Sequence, residues 1–250
     1  MMRTVEVTWA LCVRELLRFL RERNQLYSAL ARPLLWLVFL GSGMRGAFRA
    51  ETGVSYVAFL LPGVVAMTIL FGGLFSGVST VWDRELGFMR EMLVAPVSRL
   101  GIVGGKLVAG AAVTSVQALV TLAFAPLVGV SFGGGRLAAL LGLILLTSLG
   151  IVGLALVIAA RMRTLEGFGN LANFVALPLF FLSGSMYPLE HVPGWLRPVV
   201  AANPVTYAVD AMRQVAVGTP GHPMALDLGV LSGFALLMGA GAVLQFRRDW

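Results

Sequence analysis

The chain has 250 residues, of which 58% are hydrophobic and only 12% are charged, about half the charged share of an ordinary soluble domain. This composition excludes both a disordered protein and a typical globular one, and it predicts an all-α integral membrane protein. The length suits one membrane domain of six spans, and we expect no separate soluble catalytic domain. The net charge of +7 comes from basic residues at predicted span ends without interleaved aromatics, so we predict no nucleic-acid partner.

The N-terminal residues 3–24 predict an amphipathic helix that lies in the membrane interface. Trp9 and Leu16 belong to an apolar stripe with helical spacing, whereas Arg14 and Arg18 fall on the opposite face. Such a helix suits the boundary between lipid headgroups and acyl chains. A secretory signal peptide fits less well, because arginines interrupt the apolar stretch and no small-residue cleavage site follows.

Six apolar stretches follow, and each approaches or exceeds the roughly 20 residues that cross a bilayer. The predicted spans are residues 26–44, 56–82, 107–130, 137–160, 167–187 and 228–246. We expect Pro126 to kink the third span. Gly73 and Gly77 form a small-xxx-small pair that favours close helix packing, and Gly229 and Gly233 form another.

Residues 188–219 differ from the other connections, because they combine four prolines with a hydrophobic composition. The prolines exclude one straight helix. Short helices that re-enter the membrane from the outer side fit both features, provided that protein or water covers their backbone. The predicted orientation follows from the positive-inside rule. With both termini in the cytoplasm, fourteen of the nineteen Lys and Arg residues lie inside.

Several kinds of chemistry are not predicted. Spans two to six carry no ionisable residue between their predicted ends, which disfavours a proton-coupled transporter. His191 and His222 have no acid or cysteine at ligand spacing, so no metal site is expected. A GxSxG match at residues 129–133 lies in a glycine-rich turn and lacks the strand, turn and helix that the catalytic motif requires. We therefore predict no catalytic residue.

Charged residues are concentrated in residues 83–106, between two long uncharged runs. Leu86, Met89 and Leu93 recur at three- and four-residue steps, which predicts a short amphipathic helix in this loop. We favour docking of a partner on that helix over a helix lying flat on the membrane. Lys106 follows two glycines, but the remaining residues of a P-loop are missing, so no nucleotide is expected on this chain.

The run WDRELGFMREMLVAPVSRLGIVGGK, which ends at Lys106, closely resembles the corresponding segment of ABC-2-type transporter permeases. Further similar stretches are PLLWLVFLGSGM, YVAFLLPGVVAMTIL, FLSGSMYPLEHVPGWLRPV and NPVTYAVDAMRQ. The resemblance covers nearly the whole chain. It is strongest toward the bacterial branch that contains daunorubicin-type drug exporters and nodulation lipo-oligosaccharide exporters.

The resemblance implies a bacterial inner-membrane complex of two permeases, this chain with a second copy or a close homologue, surrounded by membrane lipids. It also implies two copies of a cytoplasmic ATPase, which would bind ATP and Mg²⁺. The expected ATPase-coupling residues are Asp83, Arg84, Glu85, Gly87, Arg90, Glu91, Pro96 and Arg99. The expected outer-gate residues are Pro188, Pro193, Trp195, Asn203, Pro204, Tyr207, Asp210 and Arg213.

The expected function is therefore export of an amphiphilic or hydrophobic substrate, such as a drug, a lipid or a lipid-linked saccharide. An apolar substrate path could be lined by Phe71, Phe75, Phe180, Phe181 and Tyr187. Two alternatives remain at this point. One is an ATP-independent secondary transporter of a neutral solute, and the other is a membrane scaffold without transport activity.

Overall fold

The computed structural model describes residues 4–21, 23–43, 55–86, 99–189 and 192–248. Every regular element within these ranges is helical, which confirms the all-α prediction. A 3₁₀ turn, Ala125–Val128, separates the fourth helix from the fifth. The α-helices of the described ranges are α1 Thr4–Arg21, α2 Arg23–Gly43, α3 Tyr56–Glu85, α4 Arg99–Leu122, α5 Gly134–Arg161, α6 Leu165–Phe181, α7 Arg197–Ala202, α8 Pro204–Val217 and α9 Met224–Arg248.

Helix α3 lies at the centre of the bundle and packs against α2, α4, α5, α6 and α8. Its first fifteen residues are all buried. A helix without charge around its circumference can be enclosed in this way, because no face requires water. The Ser55 side chain caps its start by accepting a hydrogen bond from the Ala58 N–H at 3.3 Å. The helix ends at Glu85, three residues beyond the predicted span.

Helix α1 packs along α4 and buries Phe19 there. Trp9, which belongs to the predicted apolar stripe, is 70% exposed. The protein itself therefore covers only part of the apolar face of α1. The role of this helix at the membrane interface stays a prediction.

The third predicted span differs from the structure at both ends. Helix α4 begins at Arg99 and ends at Leu122, and Pro126 lies in the following 3₁₀ turn. The prediction of a proline-kinked helix is therefore wrong. The proline ring has no N–H to donate, so the chain leaves the α-helix before reaching it. Gly129, with φ of 79°, closes the turn in a conformation that suits glycine.

Close packing at the first glycine pair is confirmed. A methyl group at Gly73 would lie 2.8 Å from Cγ2 of Ile151 on α5, and one at Gly77 would lie 2.6 Å from Cζ of Phe168 on α6. The second pair behaves differently. A methyl group built at Gly229 or Gly233 would meet no atom within 4 Å among the described residues, apart from the adjoining backbone of its own helix.

Within the described ranges, four segments are long and apolar enough to cross a membrane, namely Tyr56–Glu85, Leu100–Leu127, Gly134–Arg161 and Met224–Phe246. Helices α2 and α6 contribute the shorter apolar stretches Pro33–Gly43 and Leu165–Phe181. Helix α6 ends six residues before the predicted span end, because the chain turns after Phe181. The predicted re-entrant region contains α7 and α8, which meet at Asn203 and Pro204.

Candidate functional site

The C-terminal end of α3 carries a buried ion pair. The Lys106 ammonium on α4 lies 2.5 Å from the Asp83 carboxylate on α3, and both residues are buried. Arg14 on α1 lies 3.7 Å from the same carboxylate and 2.8 Å from Glu15. Burial lowers the pKa of Arg14, but the hydrogen bond and charge of Glu15 and the charge of Asp83 outweigh it, so the pKa is raised. Asp83 thus joins three helices.

Two neighbouring side chains bind helix ends. Arg84 donates from Nη1 to the Met162 carbonyl at 2.8 Å and from Nη2 to the Ala160 carbonyl at 2.9 Å, at the C-terminus of α5. Glu85 Oε1 accepts a hydrogen bond from the Leu165 N–H at 3.1 Å, at the N-terminus of α6. Each charge complements the partial charge of the helix end that it contacts. We call Asp83, Arg84, Glu85 and Lys106 the α3 clamp.

The clamp clarifies the predicted ATPase-coupling residues. Asp83, Arg84 and Glu85 each contact another helix of this chain. Their role in contacting an ATPase stays a prediction. Arg99 begins α4, and its side chain lies outside the described residues. The other predicted residues of this set, Gly87, Arg90, Glu91 and Pro96, also lie outside the described residues.

The pairing of Lys106 was missed from sequence. One feature of the sequence could have indicated it. Lys106 is the only lysine in the chain, whereas arginine occupies every other basic position, including those at predicted span ends. The helices also run past the predicted span ends and bury three ionisable residues, Asp83, Lys106 and Asp227. All three lie just outside the predicted spans, so the absence of charge inside those spans still holds, and the buried charges belong to the helix extensions.

A groove between α1, α3 and α4 adjoins the clamp. It has a volume of about 130 Å³, and we call it the α1–α3–α4 groove. Its lining includes Glu15, Phe19, Phe75, Trp82, Lys106 and Gln117. Aromatic rings and polar groups therefore face the same space, a combination that suits an amphiphilic molecule. Phe75 was predicted on the substrate path and is 57% exposed.

The remaining predicted path residues form a separate chain of contacts. Phe180 is 2% exposed, with its ring centroid 6.4 Å from that of Phe71 and 5.4 Å from that of Phe181. Trp36 meets Phe180 edge to face at 5.7 Å. The Tyr187 hydroxyl donates to the Phe181 carbonyl at 2.7 Å. In this structure the four predicted residues pack together, and Phe180 belongs to the core instead of an open surface.

At the opposite end of α3, part of the predicted outer gate packs around α7 and α8. Asn203 caps α8 by accepting from the Val205 N–H at 3.0 Å, and its amide donates to the Leu179 carbonyl at 2.8 Å. Pro204 occupies the first turn, where its missing N–H costs nothing. The Tyr207 hydroxyl donates to the Ala201 carbonyl at 2.8 Å.

Other members of this set fall on the connection before α7. Pro193 accepts a backbone hydrogen bond from Leu196 at 2.9 Å, and Trp195 is exposed. Pro188 lies in the non-helical stretch after α6 and is partly buried. The predicted gating role of these residues stays a prediction.

Arg213 links α8 to the first turn of α3. Its Nη2 donates to the Gly184 carbonyl at 2.8 Å, and its guanidinium lies 3.8 Å from the centroid of the Phe59 ring. Nearby, the Tyr56 hydroxyl donates to the Met186 carbonyl at 3.2 Å. These contacts fix the chain after α6 against the start of α3.

Asp210, Gln214, His222 and Asp227 form a polar group, which we call the α8–α9 cluster. The Asp210 Oδ2 accepts from the His222 backbone N–H at 2.7 Å and lies 3.0 Å from His222 Nδ1. Asp227 lies in the first turn of α9, and its Oδ1 is 3.8 Å from the same nitrogen. The sequence argument that His222 lacks a neighbouring acid is therefore wrong, because the chain reversal at residues 218–223 brings two acids to it.

Comparisons with known proteins identify the family. Residues 6–217 match the model of the ABC-2 type transporter family. The ycf38 protein of Cyanophora paradoxa is 31% identical over 84% of this chain and 73% of its own length. The probable doxorubicin resistance ABC transporter permease DrrC of Mycobacterium tuberculosis is 27% identical over 94% of this chain and 86% of its own length. Nodulation protein J of Rhizobium meliloti is 29% identical over 83% of this chain and 80% of its own length. The chain belongs to the ABC-2 type transporter family and is a membrane permease subunit of an ABC exporter.

Proposed function

We propose that this permease is driven by a separate cytoplasmic ATPase, which acts on the loop at residues 83–106. The observation that carries this proposal is the α3 clamp. Both ends of the loop belong to helices that the Asp83–Lys106 pair joins directly. A force on the loop would therefore act on α3 and α4 together.

The clamp extends this coupling to three further helices. Arg14 connects α1, Arg84 holds the end of α5, and Glu85 holds the start of α6. In the proposed mechanism, ATP and Mg²⁺ close a dimer of the ATPase, and the amphipathic segment at residues 86–93 moves with it. The connected helix ends then move as one unit, and the path between two permeases opens outward.

The proposed membrane arrangement has six spans, with α2 and α6 added to the four longer segments. Helix α2 has 21 residues and α6 has 17, so both approach the roughly 20 residues of a crossing. The excess of Lys and Arg on one side supports cytoplasmic termini in a bacterial inner membrane. The clamp then lies at the cytoplasmic end of α3 and the α8–α9 cluster at the outer end.

We further propose that the permease works as a pair, either with itself or with a close homologue, beside two ATPase copies. Helix α9 supports this, because Leu236 and Leu237 are exposed and the face at Gly229 and Gly233 is open among the described residues. Lipid contact is the alternative for this face. Crosslinking of cysteines placed at Gly229 and Gly233 distinguishes a permease neighbour from lipid.

The proposed substrate is amphiphilic or hydrophobic, and the α1–α3–α4 groove is its proposed entry. The relative DrrC is named for resistance to doxorubicin, and this name suits export of such molecules. A reconstituted complex should lose transport of a labelled drug or lipid when Phe75→Ala removes a ring from the groove. Phe174→Ala is the control, since Phe174 is an exposed ring on α6. Equal transport by both variants would contradict the groove as the entry.

The ATPase proposal is tested by charge reversal in the loop. Reversal at Arg84 or Glu85 is a poor test, since it would also break bonds to α5 and α6. The better variant is Arg90→Glu with Glu91→Arg, and Arg197→Glu at the start of α7 is the control. We expect the loop variant to lose binding of the copurified ATPase at least tenfold and the control to keep it. Unchanged binding by a folded loop variant would overturn the proposal.

A further inference from the structure

The α8–α9 cluster contains a buried carboxylate whose hydrogen bonding is incomplete. Asp227 is 0% exposed, and its Oδ1 has no hydrogen-bond partner among the described residues. Its Oδ2 accepts from Gln214 Nε2 at 3.2 Å. The unpartnered oxygen lies 3.8 Å from His222 Nδ1, so it is directed at the centre of the cluster.

Gln214 cannot complete the bonding of the cluster. Its Nε2 lies within hydrogen-bond distance of Asp210 Oδ2, the His222 carbonyl and Asp227 Oδ2. An amide nitrogen carries only two hydrogens, so the three acceptors exceed its capacity. The cluster therefore has a surplus of acceptors.

The cluster also carries an excess of negative charge. Asp210 and Asp227 bring two carboxylates to one imidazole, and even a protonated His222 would leave one negative charge. Buried charges in proteins are paired or coordinate metal ions. A divalent cation would neutralise both carboxylates and leave the imidazole neutral.

We propose that Asp210, His222 and Asp227 bind one divalent transition-metal ion of the zinc class. One atom from each residue lies within 4.8 Å of the others. Bonds of about 2.0–2.2 Å to nitrogen and oxygen require somewhat shorter separations. His222 is 48% exposed on its side chain and can move toward the acids. One imidazole and two carboxylates suit zinc, and water would fill the fourth position.

The metal would join three consecutive parts of the chain. Asp210 lies within α8, His222 lies in the connection and Asp227 lies in the first turn of α9. Helix α9 packs along α5 but leaves Leu236, Leu237 and Leu244 exposed. The ion would add a direct link between α8 and the start of α9. Zinc binding at this site can be measured without the ATPase and without a transported substrate.

The test uses full-length permease in detergent, stripped with a chelator and titrated with ZnCl₂. Calorimetry and elemental analysis should give one zinc per chain, and zinc should raise the melting temperature. His222→Gln and Asp227→Asn should each weaken binding at least tenfold and remove the shift. His191→Gln, at the other histidine of the chain, should leave both unchanged.

His222→Gln is the decisive variant if Asp227→Asn fails to fold, because the His222 side chain is half exposed. Its metal-free melting temperature should equal that of the unmodified protein. Cobalt provides a second measurement, since its visible absorption should appear in the unmodified protein and be lost in His222→Gln. Failure of the unmodified protein to bind stoichiometric zinc would overturn the proposal. So would zinc binding by a folded His222→Gln variant with undiminished affinity.

Discussion

The two ends of α3 adjoin buried carboxylates in different surroundings. Asp83 has an ammonium in direct contact and a guanidinium 3.7 Å away. Asp227, beyond the other end, has a shared amide and one oxygen without a hydrogen bond in the described part of the chain. A complete set of partners makes a carboxylate a structural link, whereas an incomplete set leaves it able to bind a further cation. The clamp and the α8–α9 cluster should therefore respond differently to the same kind of substitution.

The largest expected effect is at the clamp. Lys106→Met leaves the Asp83 carboxylate buried without its main cation, which should lower the free energy of unfolding by about 3–5 kcal/mol. Adding Asp83→Asn removes the stranded charge and should recover most of the loss. Unfolding in mixed detergent micelles measures both. A single-variant loss below about 1 kcal/mol would show that Arg14 replaces Lys106, contrary to the proposed role of the pair.

The next effect concerns the helix ends that the clamp holds. Arg84→Ala removes two charge-assisted hydrogen bonds to α5 and should cost about 1.5–3 kcal/mol. Arg84→Lys keeps the charge but has a shorter, single donor group, so its loss should be intermediate. Trypsin provides a local measurement, because Arg161 and Arg163 flank the contacted Met162. Faster cleavage there in Arg84→Ala is expected, and unchanged cleavage would contradict a role in holding this end.

Uncharged helix-capping residues allow the stability near the two ends of α3 to be compared without changing any charge. Thr164 accepts from the Gly167 N–H at the start of α6, and Thr164→Ala should cost about 1 kcal/mol. Asn203→Ala should cost more, about 2 kcal/mol, since the Asn203 amide also donates to Leu179. Melting temperatures give the order of the two losses. The reverse order would mean that the Leu179 contact contributes nothing.

The smallest effect is expected at Asp227. In chelator, Asp227→Asn removes an incompletely partnered buried charge, so stability should change by less than about 1 kcal/mol. Asp83→Asn alone is the matched comparison and should destabilise strongly, because it strands the buried Lys106 ammonium. Micellar unfolding of the two variants in parallel measures the difference. Equal losses would show that both carboxylates are structural and would remove the distinction between the two ends.

Much of the fold could be predicted from local patterns. The uncharged run before Asp83 predicts a buried helix, and α3 confirms it with a few residues of error at its end. Close approach at Gly73 and Gly77 was also predicted correctly, since a missing side chain always permits close packing. Gly229 and Gly233 have the same spacing, but no other helix of the described chain packs against them. The spacing therefore permits close packing without determining whether a helix of the same chain occupies the face.

The candidate sites were less predictable because their members are distant in sequence. The Asp83–Lys106 pair spans 23 residues, and the Arg84 contacts with α5 span 76 and 78. The sequence offers 18 arginines and one lysine, so many pairings agree with the composition. The residues of the α8–α9 cluster likewise give no motif with fixed spacing.

By itself, the sequence determined that this protein is helical, apolar and a member of the ABC-2 type transporter family. The length of an apolar run and its helical periodicity are local properties, so they can be read from a short window of sequence without knowing how the helices pack. Only the tertiary structure decided which charges are neutralised and which carboxylate oxygen remains without a partner. The physical reason is that an ion pair or a metal site depends on distances of a few ångströms between side chains, which the packing of whole helices sets.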